Sequence, residues 1–302
     1  MTLTKVVAIT GCDSGLGWAL AARMAREGLT TVAGMLDTET EAAAALKKYC
    51  VRPYPLDVTK DDSVAGFRNY VKEVVDEDPD NKLYAIVNNA GVMTVGDFEW
   101  QTGAMVRHTL DVNLMGAMRV TAALLPDVRP QAKQLPNPPR IISVASHCGL
   151  HALPGFAAYS ASKAGLIAWT RALRVELVDH GVKAVAFVPG GFVGSSKILS
   201  QQSNYGQSML DHLNDEQRAY YGPRITALTN YMSLVSSETR YDSVKDEQII
   251  ETFMQALLDE NPKEIYKVES FRYMFYYNLF KMPLPESAYN WLVKKFLTFP
   301  EK

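Results

Sequence analysis

Short apolar runs rich in β-branched residues recur along this chain, each halted by Gly, Asp, Asn or Pro and most followed by a helical pattern. Lys5–Thr10, Thr30–Leu36, Val51–Leu56, Leu83–Val87, Arg140–Val144 and Lys183–Val188 read as strands. Between them lie helical stretches near Trp18–Glu27, Thr40–Tyr49, Asp61–Glu77 and Gly103–Leu125. Strands that alternate with helices pair in parallel through right-handed crossovers, which predicts an α/β, doubly wound parallel sheet of Rossmann-like kind. The proline-studded stretch Pro126–Pro139 is expected to be a surface loop.

In such a sheet, ligands bind beyond the carboxyl ends of the strands. The first βα turn is Thr10-Gly-Cys-Asp-Ser-Gly15-Leu-Gly17. Glycines there let the backbone approach a pyrophosphate at the helix N-terminus, where free N–H groups and the dipole favour an anion. Asp37 ends the second strand, where a carboxylate accepts from ribose hydroxyls and repels a 2′-phosphate, favouring NAD over NADP. Asp37 also suits a cap for the turn after it. Asp57-Val58 ends the third strand, with Asp57 placed either to bind an adenine amino group or to cap. Asn88-Asn89-Ala90-Gly91 ends the fourth, as a ligand-facing segment or an Asn-rich turn.

Tyr159 and Lys163 are four residues apart, ahead of an apolar helical pattern from Ala164 to about Val178. On one helix they share a face. A cation nearby favours phenolate, so the pair suits proton exchange at an alcohol or carbonyl oxygen. Ser146 follows the strand Arg140–Val144 and is preferred to Ser143, which is expected to lie within it. Asn113, inside an apolar helical stretch, either kinks the helix and holds a water or satisfies a buried carbonyl. His147 and His151 lack a Gly-x-Ser-x-Gly elbow, which argues against a Ser/His nucleophile.

With these motifs in order, the chain resembles the short-chain dehydrogenase/reductase family from Lys5 to about Gly194. The resemblance implies hydride transfer to or from a nicotinamide. Tyr159 would be the acid/base, Ser146 would polarise the substrate oxygen, Lys163 would lower the Tyr pKa and bind ribose, and Asn113 would hold a relay water. Cofactor contacts carried over are Thr10, Gly11, Asp13, Ser14, Gly15, Leu16, Gly17, Asp37, Asp57, Val58, Asn89, Ala90, Gly91, Tyr159, Lys163, Pro189, Gly190, Phe192 and Val193. The family often has a Thr after Pro-Gly; here Ser195 is the nearest hydroxyl. Ala33-Gly-Met-Leu-Asp37, the length and the aromatic tail look like the branch holding retinol, 11-beta- and 17-beta-hydroxysteroid and 3-hydroxybutyrate dehydrogenases.

Composition bounds the partners. The 302 residues are 47% hydrophobic with a formal net charge of -2, which gives no reason to expect nucleic acid. Three cysteines without metal-ligand spacing argue against a metal and for a reducing compartment. The start of the chain leaves no room for a leader before the first strand, and no run is long enough to span a bilayer, so a cytoplasmic protein is expected. One domain, residues 1–302, is expected, with a cofactor-binding and catalytic core over 5–194 and a substrate-covering extension over 195–302.

That extension is rich in Met and aromatic residues, which favours a hydrophobic secondary alcohol or ketone, steroid- or retinoid-like, as substrate. Ser146, His151, Tyr159, Met209 and Leu213 are expected to touch it, with Tyr220, Tyr221, Tyr231 and Met232 as further candidates. Alternatives are a small hydroxy acid such as 3-hydroxybutyrate, held by Lys197, Arg218 or Arg224, and a non-catalytic dinucleotide sensor. The tail from 271 to 299 would cover the pocket, join subunits of a homodimer or homotetramer, or lie on a membrane surface through Lys281, Lys294 and Lys295.

Overall fold

The computed structural model describes residues 3–191, 196–236 and 239–297. Among the described residues seven strands occur in chain order: Thr4–Thr10 (β1), Thr30–Met35 (β2), Arg52–Pro55 (β3), Asn81–Asn88 (β4), Arg140–Val144 (β5), Lys183–Val188 (β6) and Ile265–Lys267 (β7). They form one parallel sheet in the order β3-β2-β1-β4-β5-β6-β7. The order reverses between β1 and β4, which opens a crevice at their carboxyl ends.

Both faces of the sheet are covered. Along β1, Val7 and Ile9 face one cluster while Val6 and Ala8 face the other, the two-residue alternation of a strand buried on both sides. The first cluster packs under the helices Gly15–Arg26 (α1) and Glu247–Leu258 (α9), through Leu20, Met24, Phe253 and Leu257. The second packs under Asp61–Asp76 (α3), Ala117–Val128 (α5) and Ala157–Glu176 (α6), through Phe67, Val71, Leu124 and Leu173. A shorter helix, Glu41–Lys47 (α2), begins with Thr40 accepting from the Ala43 amide.

Two expectations are revised, and one, the helix carrying Tyr159 and Lys163, is present. The Pro126–Pro139 loop is largely helical: α5 continues to Val128 and a 3-10 turn spans Arg129–Lys133. Pro126 lies inside α5 and forgoes the N–H bond that any other residue there would donate to the preceding turn. The helix holding Tyr159 begins at Ala157, ahead of the apolar pattern at Ala164, so Tyr159 and Lys163 lie on it together. The long stretch from Gly103 is divided into Gly103–Leu110 (α4), a π-helical segment Asp111–Gly116 and α5.

Beyond β6 the chain forms Gln202–His212 (α7) and Asp215–Ser236 (α8), then α9 and β7. The aromatic tail folds as two helices, Phe271–Phe280 (α10) and Glu286–Leu297 (α11), separated at Pro283-Leu284-Pro285. Arg140, at the start of β5, is fully buried. Its guanidinium donates to the carbonyls of Ala256 and Asp259 and lies over the Tyr84 ring, so it caps the end of α9.

Candidate active site

The glycine loop runs from β1 into α1 at the switch point. Gly11 and Gly15 have φ of +71° and +62°, values that suit glycine. A Cβ on Gly17 would lie 2.2 Å from the Gly11 carbonyl oxygen, and one on Gly11 would lie 2.7 Å from the Ala90 Cα. Backbone alone fits here, which is the surface a pyrophosphate needs. Thr10 Oγ1 accepts from the amides of Asn89 and Ala90, and Asn89 Nδ2 donates to the carbonyls of Thr10 and Gly11. The ends of β1 and β4 are thereby locked together.

At the end of β2, Asp13 Oδ1 accepts from the amides of Leu36 (2.8 Å) and Asp37 (3.2 Å). Burial raises the Asp13 carboxyl, these amides oppose the rise, and the Asp37 carboxylate adds to it. Asp37 Oδ1 accepts from the Glu39 amide, so it also caps its own turn. Asp57 Oδ1 accepts from the amide and hydroxyl of Thr59. Burial works against the charged form of Asp57, yet those bonds, with Lys60 and His108, hold its carboxyl below the usual range.

Asn113 lies in the π-helical segment and is 1% exposed. Its side chain accepts from the Val92 amide (2.8 Å) and donates to the Val92 carbonyl (2.9 Å) and to Ser162 Oγ (3.0 Å). The side chain satisfies buried backbone groups, and the widened helical turn puts its amide within reach. A Cβ on Gly91 would touch both Asn113 Oδ1 and Lys163 Nζ at 3.4 Å. Gly91 therefore lets the two groups flank the same strand end.

Tyr159 and Lys163 are both buried in α6. The Lys163 ammonium donates to the Val144 carbonyl at 2.8 Å and lies 6.0 Å from the Tyr159 ring centre. Burial pushes the lysine down to about 8. Burial also pushes the Tyr159 phenol well above its ordinary value, with Cys148 adding to the rise and a hydrogen bond from Ser146 opposing it. In the protein alone the raised phenol reflects its burial, which disfavours the charged form. Ser146 caps the turn His147–Gly149 by accepting from the Cys148 amide, and its hydroxyl meets the phenol. Ser143 lies inside β5 and is fully buried.

Around Tyr159 the wall is apolar: Met93, Val95, Leu199 and Met232 are buried with it, and Cys148 and Phe156 pack alongside. Met209 and Leu213 are buried next to, not within, the cluster that holds Tyr159. They fill a separate cluster with Trp100, Met105 and Ile225 beneath α7 and α8, because Gly96 leaves room for the Met209 thioether there. Tyr220 and Tyr231 are exposed, and Tyr221 bonds Glu99. His151 packs edge-on against Tyr277 and near Phe280.

The aromatic helices supply what the sequence alone placed only in general terms. Tyr277, Phe280, Val293 and Phe296 pack against Leu153, with Cys148, Phe156 and Tyr273 at the border. Cys148 and Phe156 therefore touch both this cluster and that of Tyr159. The dense aromatic run was the available signal; its partner, the loop after β5, is more than a hundred residues away in sequence. Pro189 ends β6 side by side with Gly190, where a Cβ would meet the Val268 carbonyl at 3.4 Å. Phe192, Val193 and Ser195 lie outside the described residues.

The family model described as short chain dehydrogenase matches residues 5–203. This chain belongs to the short-chain dehydrogenase family. It is an oxidoreductase acting on CH–OH groups. The dehydrogenase is 30% identical to rat estradiol 17-beta-dehydrogenase 2, over 97% of this chain and 75% of that one. It is 32% identical to rat retinol dehydrogenase 7 (95% and 88%) and 30% identical to bovine mitochondrial D-beta-hydroxybutyrate dehydrogenase (78% and 70%). A short-chain dehydrogenase/reductase from Burkholderia phymatum, solved in complex with NAD, superposes with a TM-score of 0.68 at 19% identity, covering 87% of this chain and 88% of that one. That likeness confirms the fold of this dehydrogenase. Among the described residues, no helix is long and apolar enough to cross a membrane, and no cluster of side chains suits a metal ion.

Proposed function

We propose that this dehydrogenase uses NAD and interconverts a hydrophobic secondary alcohol and its ketone, of steroid or retinoid kind. The observation that carries the reading is the wall shared by Tyr159 and the aromatic helices through Cys148 and Phe156. A substrate oxygen placed between Ser146 and Tyr159 would leave its carbon skeleton against apolar and aromatic surface. The similarity to estradiol and retinol dehydrogenases supports it.

In the alcohol-to-ketone direction Tyr159 takes the hydroxyl proton while Ser146 holds the oxygen. Nicotinamide, when bound, supplies the hydride acceptor and a positive charge. Tyr159 needs nearby positive charge to ionise, and Lys163 at its side contributes. In the reverse direction the neutral phenol is the proton donor. Asn113 holds Val92 and, through Ser162, α6, and so fixes the spacing of strand end and catalytic helix.

For the cofactor, Asp13 and Asp37 together set two carboxylates where a 2′-phosphate would sit, which favours NAD. The hydroxy-acid alternative needs a free cation. Arg218 is spent on the carbonyls of Leu210 and Leu213 and Arg224 pairs with Asp97, which leaves Lys197, an exposed residue, as the cation that alternative would use. On the outer side of the helical pair, Phe271, Phe275 and Trp291 stay exposed. That side suits a peripheral membrane contact or a second subunit, and vesicle flotation together with light scattering separates the two.

The test is NADH formation over a panel of hydroxysteroids, retinol and 3-hydroxybutyrate, with NADP in parallel and Tyr159→Phe as control. Turnover of a lipid alcohol with NAD, lost in the variant, is expected. Turnover of 3-hydroxybutyrate alone would overturn the substrate class.

A further inference from the structure

The glycine loop has a partner that lies outside the residues 5–203 matched by the family model. The Gly15 amide, the first of α1, donates to the Tyr241 carbonyl at 2.9 Å. Ser14 precedes that helix in extended backbone, and its side chain makes no capping bond. The first amides of a helix have no acceptor within it, so the Tyr241 carbonyl meets one that the loop itself does not. The amides of Leu16 and Gly17 come next and are left for an anion.

Tyr241 belongs to the short segment 239–244 between α8 and α9, where the Arg240 amide donates to Ser243 Oγ at 2.8 Å. The Tyr241 ring packs on that of Trp18 in α1, with centres 5.0 Å apart, and its hydroxyl donates to Glu41 Oε1 at 3.4 Å. Arg240 Nη2 is 3.6 Å from the same carboxylate oxygen. Trp18 Nε1 in turn donates to the Ala42 carbonyl at 3.0 Å. Glu41 and Ala42 open α2, directly after the turn that holds Asp37. One residue of the C-terminal extension therefore touches both the glycine loop after β1 and the helix that follows the β2 turn. Arg240 and Glu41 are exposed, and such a pair adds little. Gly15 and Trp18 are buried, so the carbonyl bond and the ring contact are what fasten this strap.

We propose that Tyr241 is a positioning residue for the dinucleotide: from the extension it holds the glycine loop, and the Asp37 turn beside it, in the shape the cofactor needs. This rests on the reading of the loop as a dinucleotide cradle and deepens it. Glycines let the backbone come close to a pyrophosphate, but glycine loses more conformational freedom than any other residue when it is ordered. Gly15, at φ +62°, is where the chain turns into α1, and the Tyr241 carbonyl fixes that point. A loop already held loses less freedom when a ligand arrives, so affinity rises with no new contact to the ligand.

The test uses the full chain: fluorescence titration with NADH and with NADPH, steady-state kinetics, and melting temperature with and without dinucleotide. Tyr241→Ala removes the ring from Trp18, while Tyr241→Phe keeps the ring and removes only the hydroxyl. In Tyr241→Ala, Kd for NADH and KM for NAD are expected to rise about tenfold while kcat falls less than about threefold, the pattern of lost uniform binding. The rise in melting temperature on adding NADH is expected to shrink as well. Tyr241→Phe is expected to recover the affinity to within about twofold, because the bond it loses is long and ends on an exposed carboxylate. A purely structural role would lower the melting temperature of the free protein and leave Kd of the folded protein unchanged. That result, or a loss confined to kcat, overturns the proposal. Binding of NADPH in place of NADH by the unaltered protein would overturn the NAD reading alone; pyrophosphate is common to both, so the same Kd ratio with NADPH then decides on Tyr241. Binding of neither overturns the cradle and the proposal together. If Tyr241→Ala fails to fold, Tyr241→Leu, which keeps apolar bulk against Trp18 without the ring, decides by the same ratio.

Discussion

The Asp13 carboxylate, fixed in the glycine loop, accepts a hydrogen bond from the backbone amide of Asp37 at 3.2 Å. The glycine loop is thereby tied to the residue at the end of β2. Asp13 thus orients the Asp37 turn as well as adding charge beside it.

Cofactor choice follows from that tie. At ~4 Å and an effective dielectric of ~20, one carboxylate opposes each unit of phosphate charge by ~4 kcal/mol before solvent relaxes. Asp37→Ser is expected to shift the NAD/NADP ratio of kcat/KM towards NADP by roughly one to two orders of magnitude. Asp13→Ala is expected to raise KM for NAD more than it lowers kcat, because it frees the turn. Steady-state kinetics with both cofactors check the pair; an unchanged ratio in Asp37→Ser would place the specificity elsewhere.

Proton transfer is the second test. Tyr159→Phe is expected to lower kcat by about 10²–10⁴-fold, the usual contribution of a positioned acid or base, with NADH binding retained in a fluorescence titration. Because burial raises the phenol, alcohol oxidation should quicken as pH rises, while ketone reduction should slow only at high pH. A bell-shaped oxidation profile peaking near pH 6 would contradict the assignment.

Lys163 carries a stability cost. Folding moves its pKa from 10.5 to about 8 through burial, a displacement worth roughly 3 kcal/mol. A lysine that binds its proton less tightly when folded weakens the fold fully below pH 8. The weakening fades as pH rises from about 8 to about 10.5. Lys163→Met is therefore expected to raise the melting temperature by a few degrees at pH 7, to lose most of that advantage by pH 10, and to be inactive. Calorimetry at the two pH values reads it directly.

The glycine loop gives a steric test. Gly17→Ala puts a Cβ 2.2 Å from the Gly11 carbonyl oxygen, and overpacking of this kind costs about 1–3 kcal/mol or more. It should abolish dinucleotide binding. Gly28→Ala is the comparison: φ is +81° but nothing lies within 4 Å of the added atom, so it should cost roughly 1 kcal/mol and leave NADH binding intact. Equal binding in the two variants would show that the loop does not cradle the cofactor.

Much of this protein was legible in its sequence, for reasons that are local. Strand runs and helix periods fix the alternation of elements, and alternation fixes a parallel sheet. Tyr159 and Lys163 share a face because four residues make about one helical turn. The glycine spacing is local as well, as is Ser146 just beyond β5. The boundaries that moved did so where local signals compete: Pro126 reads as a breaker yet lies within α5, and α6 starts before its apolar pattern does.

Long-range packing decided the rest. No spacing in the sequence reveals that Met209 and Leu213 face Trp100 while Met232 faces Tyr159; three helices must first pack together. Nor does it bring Tyr273 and Tyr277 to His147, across more than a hundred residues. The protonation of Tyr159 and Lys163 is also tertiary. Sequence gives the four-residue spacing, but desolvation grows with every neighbour that excludes water, and it is the enclosure of the two side chains that moves both groups.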